Sequence, residues 1–168
     1  MGRSVFGMGT TPLWIRIGDV KKHREFMQIA LEEAELALEA GEIPVGAVLT
    51  KDGEIIARGH NRRVETGDPT AHAEVLVLQM AGKRTGDWRL EGATLYVTLE
   101  PCPMCAGAIA LARIERVVFG ASEPRAGAGG SAYNILEDGR LGHRVQVIAG
   151  VMEEECSHLL HGFFDGLR

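Results

Sequence analysis

Hydrophobic positions along this chain switch between a helical and an alternating period, and the switches outline one α/β domain. Between Lys22 and Ala40, residues Phe26, Ile29, Ala30, Ala34, Ala37 and Leu38 recur at helical spacing. The segment therefore predicts an amphipathic helix with that stripe turned inward and Gly41 as its stop. Val45–Thr50 and Glu54–Arg58 read as two strands joined at Asp52-Gly53. Asp-Gly suits a type I′ turn, which needs positive φ at both central positions. Gly59–Asp68 is polar and reads as a loop carrying Asn61, Arg62 and Arg63.

The second half repeats a strand–helix rhythm. A helix is expected from Ala71 to about Lys83 with Thr70 as its N-cap, followed by a strand over Ala93–Thr98. The next helix runs from Pro103, where a missing N–H is harmless, to about Arg113. Strands follow at Arg116–Gly120 and Val145–Ile148, and a helix over Glu153–Leu167 closes the chain. An antiparallel hairpin followed by crossover connections implies a layered α/β domain with a mixed sheet. Two parts are expected: a mobile N-terminal extension over residues 1–21 and a single domain over residues 22–168.

Composition narrows the setting. With 168 residues, 45% hydrophobic and 24% charged, the chain has the length and balance of one globular domain. No apolar run approaches the ~18 residues that suggest a membrane span. Arg3, Pro12, Arg16 and Asp19 break up the N-terminal stretch, so no secretory signal is expected. Three cysteines, an odd number, argue against a disulfide framework and for the reducing cytoplasm. The net charge of −5 has the wrong sign for bulk attraction to nucleic acid, so any such contact needs a local basic patch.

Two segments carry chemistry: His72-Ala73-Glu74, and Pro101-Cys102-Pro103-Met104-Cys105. Cysteines three positions apart put both sulfurs on one side of a helix's first turn. With one imidazole they form a sulfur–nitrogen set suited to zinc, and three protein ligands leave a fourth position for water. Helix N-termini carry free N–H groups and partial positive charge, which favours the thiolates zinc requires. A redox pair would leave His72 and Glu74 without a task. A structural zinc site wants a fourth ligand, and Cys156, lying near Leu159 and Leu160, reads instead as a small core residue. His-x-Glu together with Pro-Cys-x-x-Cys is the pattern of zinc deaminases that act on nucleobases, with the glutamate as acid and base rather than ligand.

At these residues the chain resembles the tRNA-specific adenosine deaminases of the cytidine-deaminase-like superfamily. The likeness spans about Glu25 to Leu167. It includes Ile43-Pro44-Val45-Gly46-Ala47-Val48, Asn61, Asp68-Pro69-Thr70-Ala71-His72-Ala73-Glu74, Trp88-Arg89-Leu90, the run from Thr94 to Ala108, Arg116–Ala121, the glycine cluster ending at Ser131, His143-Arg144-Val145 and Phe163-Phe164. The resemblance implies a three-layer fold with a mixed sheet of about five strands and helices on both faces. It assigns one zinc ion per subunit to His72, Cys102 and Cys105, and proton transfer to Glu74. It assigns Asn61 to the target nucleoside and Ile43 and Ala73 to the base pocket, in a homodimer whose RNA site draws on both subunits. Three departures stand out: a longer leader before Lys21, an end at Arg168 where a basic tail often follows, and Ser122-Glu123-Pro124-Arg125 in place of an Asp/Lys-type loop.

The implied reaction is hydrolytic deamination of adenosine to inosine in tRNA, at the anticodon wobble position. An unpaired loop exposes such a base cheaply, whereas a stacked one cannot reach a buried metal. Asn61 has a donor and an acceptor for a base edge or ribose hydroxyl, although a loop asparagine is equally suited to a left-handed backbone. Arg62, Arg63 and Arg125 are candidate RNA contacts, and could form the basic patch if the fold gathers them at the pocket mouth. Deamination of guanine or another free nucleobase or nucleoside is the competing reaction. A zinc-stabilised RNA-binding module without turnover is a third reading, and leaves Glu74 unexplained.

Overall fold

A computed structural model of the chain describes residues 17–167. Five strands form one sheet: β1 (Gly46–Lys51), β2 (Glu54–His60), β3 (Ala93–Leu99), β4 (Arg116–Ala121) and β5 (Gln146–Ile148). Their order is β2-β1-β3-β4-β5, with β1 antiparallel to β2 and β3, and β3, β4 and β5 mutually parallel. The helices are α1 (Ile17–Glu39), α2 (Arg63–Thr66), α3 (Ala73–Thr85), α4 (Pro103–Leu111), α5 (Ile135–Asp138) and α6 (Glu153–Gly166). The mixed sheet expected from the sequence is present, antiparallel hairpin first. Asp52 and Gly53 take φ of 52° and 82°, the positive pair the hairpin turn requires.

The strand pleat assigns the layers. A Cβ at Gly46 would overlap the Ala30 carbonyl of α1, while a Cβ at Gly59 would meet Val77 and Met80 of α3. Gly59 pairs with Ala47, the neighbour of Gly46, so α1 and α3 cover opposite faces of the sheet. Gly120 of β4 lies against Cys156 of α6, which packs on the α1 side, and α4 packs beside α3. Met27, Ala30 and Leu31 of α1 fill one half of the core, and Val77, Ala106 and Ile109 the other. Cys156 is a buried core residue, as its neighbours suggest.

Several local expectations are corrected. α1 begins at Ile17, so residues 17–21 belong to the first helix; residues 1–16 of the expected extension lie outside the described residues. Leu38 is exposed at 37%, and the buried stripe runs through His23, Met27, Ala30, Leu31, Glu33, Ala34 and Ala37 instead. The polar loop contains the short helix α2, whose first amides are met by the buried Glu42 carboxylate, which accepts from Val64 N at 3.1 Å and Glu65 N at 2.8 Å. Thr70 does not cap α3: its hydroxyl donates to Asp68 at 2.7 Å, and His72 occupies the N-cap position.

Candidate active site

The sequence places a turn before α3 and another before α4, and the fold brings the two helix starts together. His72 is the N-cap of α3, Cys102 the N-cap of α4, and Cys105 sits in the first turn of α4. Nδ1 of His72 lies 3.7 Å from Cys102 Sγ and 3.4 Å from Cys105 Sγ, and the three ligand atoms all fall within 4.8 Å of one another. Tetrahedral zinc bonds of about 2.0–2.3 Å imply ligand–ligand edges of roughly 3.5 Å, so the spacing fits one ion. Both helices aim unpaired N–H groups and partial positive charge at this point.

The two thiols share a proton unequally. Cys102 Sγ accepts from Cys105, which pulls its pKa down to about 4 despite burial. The same hydrogen bond, with burial, pushes the Cys105 thiol well above the ordinary range. His72 is raised, chiefly by its hydrogen bond with Cys102. The Glu74 carboxyl, 4% exposed, is also raised, because burial penalises its charged form. A carboxyl that holds its proton more readily is suited to proton transfer near neutral pH.

A cavity of about 170 Å³ opens beside this cluster. Ile43, Asn61, Ala73 and Glu74 line it together with His72 and Cys102, so the sequence-picked pocket residues meet in one place. Asn61 is not in a left-handed conformation; its Nδ2 donates to Ile43 O at 3.2 Å and its Oδ1 accepts from Arg63 N at 3.3 Å. One amide hydrogen and one lone pair remain for a ligand. A larger cavity of about 440 Å³ at the other end of the sheet, between Lys22, Thr94 and Arg116, contains none of the ligand set.

The three candidate arginines separate. Arg63 lines the cavity. Arg62 is held by two hydrogen bonds to Glu65, at 2.6 and 2.8 Å. Arg125 is exposed and lies 3.5 Å from Glu123, itself a cavity residue. Sequence reasoning missed Glu100, a buried carboxylate in the cavity wall. Its only signal was its place immediately before Pro101-Cys102.

Comparison with known proteins decides the family. The pattern described as the cytidine and deoxycytidylate deaminase zinc-binding region matches residues 20–121. The tRNA-specific adenosine deaminase of Bacillus subtilis (strain 168) is 55% identical over 143 residues, covering 85% of this chain and 89% of its own. The chain belongs to the tRNA-specific adenosine deaminase family. The family member from Aquifex aeolicus (strain VF5) is 49% identical, covering 85% of this chain and 94% of its own. A solved structure from work on A-to-I editing by tRNA:A34 deaminases at the wobble position of transfer RNA matches with a TM-score of 0.78 at 48% identity, covering 81% of this chain and 99% of that one. Guanine deaminase from Bacillus subtilis matches less of the fold, with a TM-score of 0.59 at 43% identity, covering 65% of this chain and 70% of its own. As a member of the adenosine deaminase family this chain is a zinc-dependent deaminase, and His72, Cys102 and Cys105 are the cluster that fits the ion.

Proposed function

We propose that this enzyme converts adenosine to inosine in tRNA, at the wobble position of the anticodon. The observation that carries the reading is the likeness to tRNA-specific adenosine deaminases over 143 residues, well beyond the zinc-binding stretch at 20–121. His72, Cys102 and Cys105 would hold one zinc ion, whose charge would bring the pKa of a water molecule toward neutrality. Glu74 takes a proton from that water and delivers it to N1 of the adenine as the water oxygen bonds to C6. Glu74 then takes the remaining proton from the hydroxyl added at C6 and carries it to the C6 amine; the C6–N bond breaks as the C6 carbonyl forms, and ammonia leaves an inosine. Asn61 holds the nucleoside, and Ile43 and Ala73 flank the flipped base. Arg63, at the cavity, is the best placed of the arginines for a phosphate; Arg62 and Arg125 serve only after leaving Glu65 and Glu123.

The active unit is a homodimer formed through the outer face of α3 and α4. The sequence of α4, Pro-Met-Cys-Ala-Gly-Ala-Ile-Ala-Leu, carries no charge on any side, the character of a helix buried all round. Yet Met104 and Leu111 are exposed, beside an apolar groove of about 600 Å³ floored by Leu78, Trp88 and Ala108. A second copy supplies the missing cover. Among the described residues no helix is long and apolar enough to cross a membrane, and the three cysteines are free. A tRNA substrate and zinc thiolates both suit the cytoplasm.

Purified enzyme incubated with candidate tRNAs, then sequenced for A-to-I changes, tests the reading. Inosine at the first anticodon position is the expected result. Ammonia released from free guanine with no change in any tRNA would overturn it in favour of the guanine deaminase reading.

A further inference from the structure

Glu100 is 2% exposed, and no cation pairs with it among the described residues. A buried carboxylate without a countercharge is tolerated only where hydrogen bonds replace its lost hydration. Here every donor comes from one loop. Oε2 accepts from Glu123 N at 2.9 Å and from the Ser131 hydroxyl; Oε1 accepts from Gly129 N and Ser131 N, each at 3.0 Å.

The loop is shaped around that carboxylate. A Cβ at Gly127 would overlap it, and one at Gly129 would come within 3.4 Å of Oε1, so the glycine cluster marks its close approach. Two backbone bonds secure the same junction: Ala128 N donates to Pro101 O, and Glu100 N to Ala121 O, both at 2.8 Å. Glu123 and Ala126 of this loop line the cavity that Glu74 and Asn61 share, and Cys102 lies two residues beyond Glu100.

We propose that Glu100 is a positioning residue: its carboxylate clamps the 123–131 loop to the strand leading into the zinc ligands, and so fixes the pocket wall that the substrate meets. The clamp does not touch the reacting atoms. It sets how far the wall stands from Glu74, and a shift of under an ångström there weakens substrate binding. The choice of assay rests on the adenosine-in-tRNA reading.

The test compares zinc-loaded wild type with Glu100→Gln and Ser131→Ala. The amide keeps one acceptor but turns N–H donors toward the donors of the loop, while Ser131→Ala removes a single donor from an exposed residue. Zinc content stays at one ion per chain in both variants. On an anticodon-arm RNA, KM rises about tenfold for Glu100→Gln and a few-fold for Ser131→Ala, with kcat less affected. Amide hydrogen exchange quickens across residues 123–131 and nowhere else. A folded, zinc-replete Glu100→Gln enzyme with wild-type KM and wild-type loop protection would overturn the clamp. Should that variant not fold, unchanged KM and loop exchange in Ser131→Ala overturn it equally. Absence of inosine with wild type sinks the substrate reading alone, and loop exchange still decides the clamp.

Discussion

Nδ1 of His72 lies 3.4 Å from Sγ of Cys105 although 33 residues separate them along the chain. The two meet because α3 and α4 pack side by side on one face of the sheet and start at the same end of it. Each helix brings its N-terminal partial charge to the point where a cation and its thiolates balance. The same junction buries Glu74 beside the cluster and opens the cavity over it.

Replacing Glu74 with alanine leaves zinc content and fold intact, because Glu74 is not part of the ligand cluster. Turnover falls about 10²–10⁴-fold, the usual contribution of one acid–base group. Metal analysis and single-turnover inosine formation measure the two quantities separately. Near-normal turnover would remove Glu74 from the reaction.

Loading zinc into chelator-treated protein releases protons. The Cys105 thiol is held protonated by its hydrogen bond to Cys102 and by burial, whereas zinc takes the thiolate. About one proton per ion is expected from this group, read by calorimetry in buffers of different ionisation enthalpy. Chelation also lowers Tm, since a ligand bound only by the folded state stabilises it. Cys105→Ala abolishes both responses.

Stability falls as the solution is acidified, and His23 carries part of the loss. Burial first, then the nearby Arg116 charge, lowers its pKa; its Nδ1 lies 2.9 Å from the Tyr96 hydroxyl. An unfolded imidazole titrates near about 6.5, so below that pH the unfolded chain binds a proton that the folded chain accepts only at lower pH. The stabilisation is therefore complete above about 6.5 and lost through the window beneath it. His23→Gln flattens the change in Tm between about pH 8 and about pH 5.5. Parallel profiles for variant and wild type would exclude His23 as the source.

Gly46→Ala destabilises the fold by about 1–3 kcal/mol or more, because overpacked atoms force neighbours to shift. The new Cβ would overlap backbone atoms of Ala30 and Ala34, which cannot rotate away as a side chain end can. Urea unfolding measures the change. A midpoint equal to wild type would show that α1 has room to slide.

The proposed homodimer predicts that Leu111→Asp, on the exposed face of α4, yields a monomer while preserving zinc. A charge on that apolar face, once covered by a second copy, is left desolvated and unpaired, at a cost of several kcal/mol. Sedimentation velocity separates one chain from two. A variant that still sediments as a dimer places the interface elsewhere.

Local patterns in the amino-acid order determined most of the elements and the chemistry of the site. Helical and alternating periods, the Asp52-Gly53 turn, and the spacing of Cys102 and Cys105 each depend on neighbours within a turn or a pleat, and the fold agrees with them. Leu38 looked like part of a buried stripe, but its face of α1 meets solvent rather than the sheet, which periodicity alone does not decide. Thr70 looked like a helix cap, but Asp68 engages its hydroxyl first. Arg62 and Arg125 looked as free as Arg63, but Glu65, three residues on, and Glu123, two residues back, engage them locally. Glu100 carried no signal beyond its place before Pro101-Cys102, because its meaning lies in four donors from a loop 23–31 residues away. Strand order and helix packing alone bring such distant groups together, so tertiary structure decided the cavity, its wall and the meeting of His72, Cys102 and Cys105.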